Sequence, residues 1–196
     1  DIGNTNVTCG VYDGEKWVHT LRLPSTLNFW DQFSTLKEFD ITECAISSVV
    51  PNLIQVYVES IRNLFQIDAH IITCQNSGVE LLVETPQDVG IDRICNVAAA
   101  KLLVGTPAIV GDIGSATNYD VVDENGAFIG GAIAPGIKVA AHNLIEKAAL
   151  LNETAFIVPE SVVGKNTETN LQSGIMLGAI DVVDGMFSRI MDEMNW

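Results

Sequence analysis

DIGNTN (residues 1–6) and DIGSATN (residues 112–118) are near copies of each other, about half a chain apart. The stretches after the two copies are also alike. After the first, an apolar, β-prone run is broken at Asp13-Gly14 and a second run comes next, to RL at 22–23. After the second, the break is Glu124-Asn125-Gly126, and the next run is FIGGAIAP at 128–135. Asp-Gly or Asn-Gly between two such runs is a strong hairpin signal. The second copy also shows a strand, PAIVGD, feeding into its Gly loop. The repeat therefore reads twice as strand, Gly loop, strand, turn, strand.

Helical patterns come after each copy. PNLIQVYVESIRNLFQ (51–66) starts with Pro at a favoured first helical position, and Leu53, Val56, Val58, Ile61 and Leu64 supply its apolar face. Further helices are expected at 92–104, ended by Gly105, at 136–151, and, as one or two pieces, within 169–194. ISSVVP (46–51) reads as a buried strand running into a helix, and AHIIT (69–73) as another strand. Strands alternating with helices, in a module that occurs twice, specify an α/β fold of two similar lobes. No linker separates them, so the expected division is 1–105 and 106–196, with a cleft between.

The composition narrows the function. Formal net charge is −15, with no basic stripe to offset it, which argues against a nucleic-acid partner. The hydrophobic fraction of 47% suits strands buried on both faces, and no run is long and apolar enough for a membrane helix. The four cysteines (9, 44, 74 and 95) form no C-x-x-C pair and read as reduced core thiols of a cytoplasmic protein. His19 and His70 fall in strands and read as structural.

Each Gly loop offers chemistry. Gly3 and Gly114 permit φ > 0 and close approach of a ligand, and successive backbone N–H groups can cradle an anion. Asn4, Thr5, Asn6, Ser115 and Thr117 add short polar groups, while Asp1 and Asp112 place a carboxylate two residues upstream. Two such loops suit the phosphates and cation of a nucleoside triphosphate. No G-x-x-x-x-G-K-[ST] or G-x-G-x-x-G run is present, which argues against a P-loop or Rossmann site. In TPQDVGIDR (85–93), Asp92-Arg93 opens a helix; Asp92 can accept a hydroxyl proton, and the planar fork of Arg93 suits a carboxylate. GGAIAPG (130–136) and GKNTETNLQSG (164–174) are further loops leading into helices. A nuclease site built on Asp1, Asp92 and Asp112 is disfavoured by the acidic charge.

Taken in order, DIGNTN, SSVVP, PQDVGIDR, DIGSATNYD, GGAIAPGI and GKNTETNLQSGI resemble the motifs of the type III pantothenate kinases, over nearly the whole chain. The resemblance implies duplicated actin-like (ribonuclease-H-like) lobes, with mixed, five-stranded sheets flanked by helices and an ATP cleft between. It implies phosphorylation of pantothenate to 4'-phosphopantothenate, the first step of coenzyme A synthesis, with ATP, Mg2+ and K+ or NH4+. By the same resemblance Asp1, Ile2, Gly3, Asn4, Thr5, Asn6, Val7 and Thr8 form the first phosphate loop, and Ser115 contacts ATP from the second. Asp112 is similar to the monovalent-cation ligand, and Asp1 would reach Mg2+ through water. Gly90, Ile91, Asp92 and Arg93 match the pantothenate-binding turn, with Asp92 as general base and Arg93 on the substrate carboxylate. Thr167 matches a substrate-contacting Thr that acts across a homodimer interface. Val83, Ile91, Ser115 and Asn118 depart from the family's usual Tyr, Ala, Thr and Thr. A catalytically weak or inactive relative acting in regulation is the alternative these departures leave open. Family members continue beyond residue 196, so the second lobe is read as truncated.

Overall fold

Asp13 and Gly14 turn β1 (Asn6–Tyr12) back onto β2 (Trp17–Pro24), in an antiparallel pair running from Asn6↔Pro24 to Tyr12↔Trp17 with an irregularity at Val11/Tyr12. The computed structural model describes residues 1–196. Gly14 has φ +99°, the left-handed geometry that makes a glycine useful at this turn. Next come a short helix α1 (Trp30–Phe33), a 3-10 turn (Ser34–Glu38), β3 (Cys44–Ile46), α2 (Pro51–Phe65) and β4 (Ala69–Ile71), which pairs in parallel with β3. After a 3-10 turn (Pro86–Asp88), α3 spans Ile91–Leu103. β5 (Ala108–Ile113), β6 (Ala116–Val122) and β7 (Phe128–Pro135) form a three-stranded sheet in that order. α4 (Ile137–Lys147), α5 (Thr167–Gln172), a π-helical segment (Ser173–Leu177) and α6 (Gly178–Met194) complete the chain. No helix is long and apolar enough to cross a membrane.

The architecture is α/β with mixed sheets, as the repeat implies. The chain forms two compact units: Asp1–Thr106 with Glu124–Phe128, and Pro107–Asp123 with Ile129–Trp196. The core of the first joins Ile2, Val7 and Val11 to Leu23, Ile46, Leu53, Tyr57 and Ile61, with Phe29, Phe33 and Leu36. Phe29 stacks on Tyr57 at 4.3 Å between ring centroids, and Phe33 meets Tyr57 edge-on at 5.4 Å. Both are favoured aromatic geometries. Burial pushes the Tyr57 hydroxyl up to about 12. In the second unit Tyr119 and Val121 of β6 and Ala141 of α4 are buried, and Phe187 of α6 packs edge-on against Tyr119 at 5.8 Å.

Several sequence expectations need correction. No five-stranded sheet forms: the sheets are β1-β2, β3-β4 and β5-β6-β7. In the first unit the two pairs meet through one residue, Ile2, which bridges Val7 antiparallel and Ser48 parallel. The strand expected at 46–51 ends at Ile46 because Pro51 already starts α2. Tyr57 joins the buried face of α2 with Leu53 and Ile61, while Val56, Val58 and Leu64 are only partly buried against it. α4 stops at Lys147, short of 151; beyond it Leu150 is exposed and gains nothing from helical burial. α5 begins earlier than expected because Asn166 caps it, in a reciprocal capping box with Thr169.

Candidate active site

Ile2 is the anchor of the first Gly loop. Its N–H donates to the Ser47 carbonyl (2.8 Å) and its carbonyl accepts from the Val49 N–H (3.0 Å). Fully buried Ile2 and Val7 pin both ends of the loop to the core. Between them the Gly3 N–H donates to the Asn6 carbonyl (3.0 Å), and the Ser25 N–H donates to the Thr5 carbonyl (3.1 Å). Asn4 and Thr5 are exposed at the tip, Asn6 and Thr8 are half-buried, and the Thr8 N–H donates to the Asp1 carbonyl (2.8 Å). The loop is thus held by its carbonyls and its apolar residues, which leaves polar side chains at the tip.

Asp92 lies in the first turn of α3, half-buried, and its Oδ1 accepts the Arg93 backbone N–H at 2.8 Å. Gly90 makes room for this: a Cβ there would collide with Asp92 Oδ1. Gly90 itself has φ −57°, so the requirement is for space and not for backbone freedom. The bulk of Ile91 begins the helix and is half-buried. The Arg93 guanidinium carbon lies 5.3 Å from the centroid of the Phe128 ring. That contact uses the face of the guanidinium, whereas a carboxylate is bound at its edge.

Ser47, which the sequence reading does not single out, links the two regions. Its Oγ donates to Asp1 Oδ1 at 2.7 Å, and it stands close enough to the Cys95 thiol, one turn beyond Asp92, to act on that group's titration. Burial pushes that thiol up, and the charge of Asp92 acts in the same direction. Asp1, Ser47, Cys95 and Asp92 therefore form one polar neighbourhood in the first unit. The only sequence signal for it is the SSVVP string, whose hydroxyls carry no obvious role until residue 2 pairs beside them.

In the second unit, Asp112 stands opposite Asn118 in the β5–β6 ladder, half-buried, and Ser115 is exposed at the hairpin tip. Here the Gly114 N–H donates to the Ala116 carbonyl (2.8 Å) and the Gly136 N–H to the Ser115 carbonyl (3.1 Å). Neither Gly3 nor Gly114 uses the positive φ that glycine permits; the positive-φ glycines are 14, 78, 105, 126 and 130. What remains for the two loop glycines is close approach. Thr167 is the first residue of α5 and is exposed, on a separate element from the hairpin. Val83 is half-buried in the segment before the Pro86 turn.

No group of three His, Cys, Asp or Glu residues is placed to cage a metal. Mg2+ that is shared with substrate phosphates needs only one or two carboxylates and keeps several waters. The exposed carboxylate of Asp1, one oxygen of which is engaged by Ser47, fits that second arrangement. A cavity of about 600 Å³ in the second unit has a mostly apolar lining that includes Tyr119, Leu144, Leu171, Ile175 and Val182, and of the polar residues singled out in the Gly loops Thr117 alone lines it. Its polar side chains, Thr117 and Asn170, carry no charge to set against phosphates, so the polar loops are the better candidate site.

The type III pantothenate kinase family model matches residues 1–189. A type III pantothenate kinase of Thermomicrobium roseum is 39% identical, over 100% of this chain and 80% of its own length. Another, of Agathobacter rectalis, is 38% identical over 98% of this chain and 79% of its own. Among solved structures, one described as a conserved putative Baf family transcriptional activator from Campylobacter jejuni aligns with a TM-score of 0.58 at 22% identity. It covers 94% of this chain and 76% of its own, and shares the fold. A match of this extent, on a chain that carries the six motifs in order, has one reading: this chain belongs to the type III pantothenate kinase family.

Proposed function

We propose that this chain transfers the γ-phosphoryl group of ATP to the terminal hydroxyl of pantothenate, making 4'-phosphopantothenate in the first step of coenzyme A synthesis. Family membership supports the reaction. The observation that carries the assignment of roles is the polar neighbourhood of Asp1, Ser47 and Asp92 in the first unit. A group that neutralises phosphate charge and a group that takes a proton must lie close together for phosphoryl transfer.

Residues Asp1 to Thr8 and Ser115 hold the ATP phosphates, and Asp1 orients the water shell of Mg2+. Mg2+ and a monovalent cation at Asp112 supply charge neutralisation. Gly90 and Ile91 shape the pantothenate turn. The edge of Arg93 binds the substrate carboxylate while Phe128 fixes its plane. Asp92 uses Oδ1 to accept its neighbour's N–H, and Oδ2 takes the hydroxyl proton. A loose transition state sheds this proton late, so little basicity is asked of the group that takes it. The two units are read as lobes of the actin-like superfamily, divided near residue 105. The protein works as a cytoplasmic homodimer in which Thr167 completes the partner's pantothenate site.

The test is ADP release with ATP, Mg2+ and K+, with and without pantothenate. Asp92→Asn is expected to lower turnover by about 10²- to 10⁴-fold while ATP binding stays near normal. Retained turnover would remove Asp92 from the role of base. Mixing Asp92→Asn with Thr167→Ala protein should restore part of the activity if the site is shared, and no rescue in verified heterodimers would refute sharing. Absence of any pantothenate-dependent release from folded protein would favour the regulatory alternative, with Val83 and Asn118 the first positions to revert.

A further inference from the structure

The Gly-rich string GGAIAPG ends on Gly136, and its role is not accounted for by the reaction above. Gly136 is buried and immediately precedes α4, with φ −65° and ψ 151°. Any residue adopts that backbone conformation, so flexibility is not why glycine stands here. Its surroundings give the reason. A Cβ on Gly136 would collide with the Gly114 carbonyl oxygen and lie 2.6 Å from the Ser115 carbonyl oxygen. The Gly136 N–H meanwhile donates to that same Ser115 oxygen at 3.1 Å.

A loop that binds phosphate must present donors and keep its carbonyl oxygens turned away, because an acceptor facing an anion is repelled. The second Gly loop has three residues between its paired ends, Ile113 and Thr117. The Ala116 carbonyl is taken by the Gly114 N–H, and the Ser115 carbonyl by Gly136. We propose that Gly136 is a positioning residue for nucleotide binding: it draws the Gly114–Ser115 carbonyls onto the start of α4 and so presets the second loop to receive a phosphate. This rests on the reading of that loop as an ATP contact.

The experiment compares Gly136→Ala with Gly131→Ala. A Cβ on Gly131 would collide with the Tyr119 carbonyl oxygen and lie 2.9 Å from its carbon, a comparable clash in the same unit but against the middle of β6. Kd for Mg·ATP, KM for pantothenate and thermal unfolding are measured on each. Gly136→Ala is expected to weaken ATP at least about 10-fold, the scale of one lost phosphate-loop contact, with KM for pantothenate within about twofold of wild type. Gly131→Ala is expected to lose stability and, where folded, to bind ATP as wild type does. Equal ATP affinity in Gly136→Ala and wild type, or equal weakening in both variants, overturns the proposal. A Gly114→Ala/Ser115→Ala double variant that releases ADP as wild type does would instead overturn the phosphate-loop reading on which it rests. Should Gly136→Ala not fold, amide hydrogen exchange on wild type decides: ATP should slow exchange at Gly136 together with Gly114, and no change at Gly136 refutes the proposal.

Discussion

Asp-Ile-Gly occurs twice with the same letters and in two different physical settings. Ile2 is 2% exposed and ties β1 to the segment after β3; Ile113 is 56% exposed at the end of an outer strand. The first loop spans four residues between the paired Ile2 and Val7, the second only three between Ile113 and Thr117. Distant chain braces each loop, but differently: Ser25 and the Ser47–Val49 segment hold the first, and Gly136 holds the second. Asp1 takes a hydrogen bond from the Ser47 hydroxyl, while Asp112 sits in a strand ladder. A repeated string thus specifies a repeated hairpin. What each residue contributes is set by the chain that packs on it.

The two isoleucines give the largest contrast. Ile2→Ala removes a buried side chain from the first unit's core and should cost about 2–5 kcal/mol of stability. Ile113→Ala should change stability by no more than about 0.5 kcal/mol, as for an exposed position. Chemical denaturation of both variants checks this. Similar losses at the two positions would mean that the copies are buried alike.

The loop glycines should separate by less, and by sign. A Cβ on Gly114 would find ordinary contact, 3.7 Å from the Ala116 oxygen, and φ there is not positive. Gly114→Ala should therefore stabilise the free protein by about 0.4–1 kcal/mol through the unfolded chain's lost entropy, while weakening ATP if a phosphate lies against that Cα. On Gly3 a Cβ would stand 3.1 Å from the Asn6 oxygen, tight enough to cancel that gain. Thermal unfolding with and without Mg·ATP distinguishes the two. A stabilised Gly114→Ala with unchanged ATP affinity would show that this glycine is not kept for a ligand.

The hairpins, α2, α3 and the turn glycines were legible because their signals are local: Asp13-Gly14, Pro51 and the apolar spacing along 51–66 each act within a few residues. Asp92 and Arg93 were legible as a helix opening for the same reason. Ser47 was not, since its part depends on residue 2 pairing beside residue 48, and no local pattern encodes a partner 46 positions away. Which property of glycine Gly3 and Gly114 use was not legible, for a related reason. Glycine in a sequence signals backbone freedom or space without saying which, and here Gly14 and Gly126 use the freedom while Gly90 and Gly136 use the space. The π-helical segment at Ser173–Leu177 was likewise hidden inside a run that reads as ordinary helix.

The smallest expected effect tests whether the two hairpin turns differ as their loops do. Asp13 Oδ1 accepts the backbone N–H groups of Glu15 and Lys16, each at 2.9 Å. These bonds, that from Lys16 foremost, hold its carboxyl below the ordinary Asp range. A carboxyl whose folded value is depressed adds stability above its unfolded value, near ~3.9, and loses it as pH falls through the folded value. The side chain is fully exposed, so solvent screens much of the effect. Asp13→Ala should accordingly unfold at a lower temperature than wild type near neutral pH, and the difference should shrink steadily below about pH 4. In the second turn Glu124 accepts through its backbone carbonyl, from the Thr106 hydroxyl at 3.0 Å, so Glu124→Ala leaves that bond in place and is the reference variant. A gap for Asp13→Ala that stays constant down to pH 3 would mean that the turn is held by Gly14 and its strands alone, with the carboxylate contributing nothing to the hairpin.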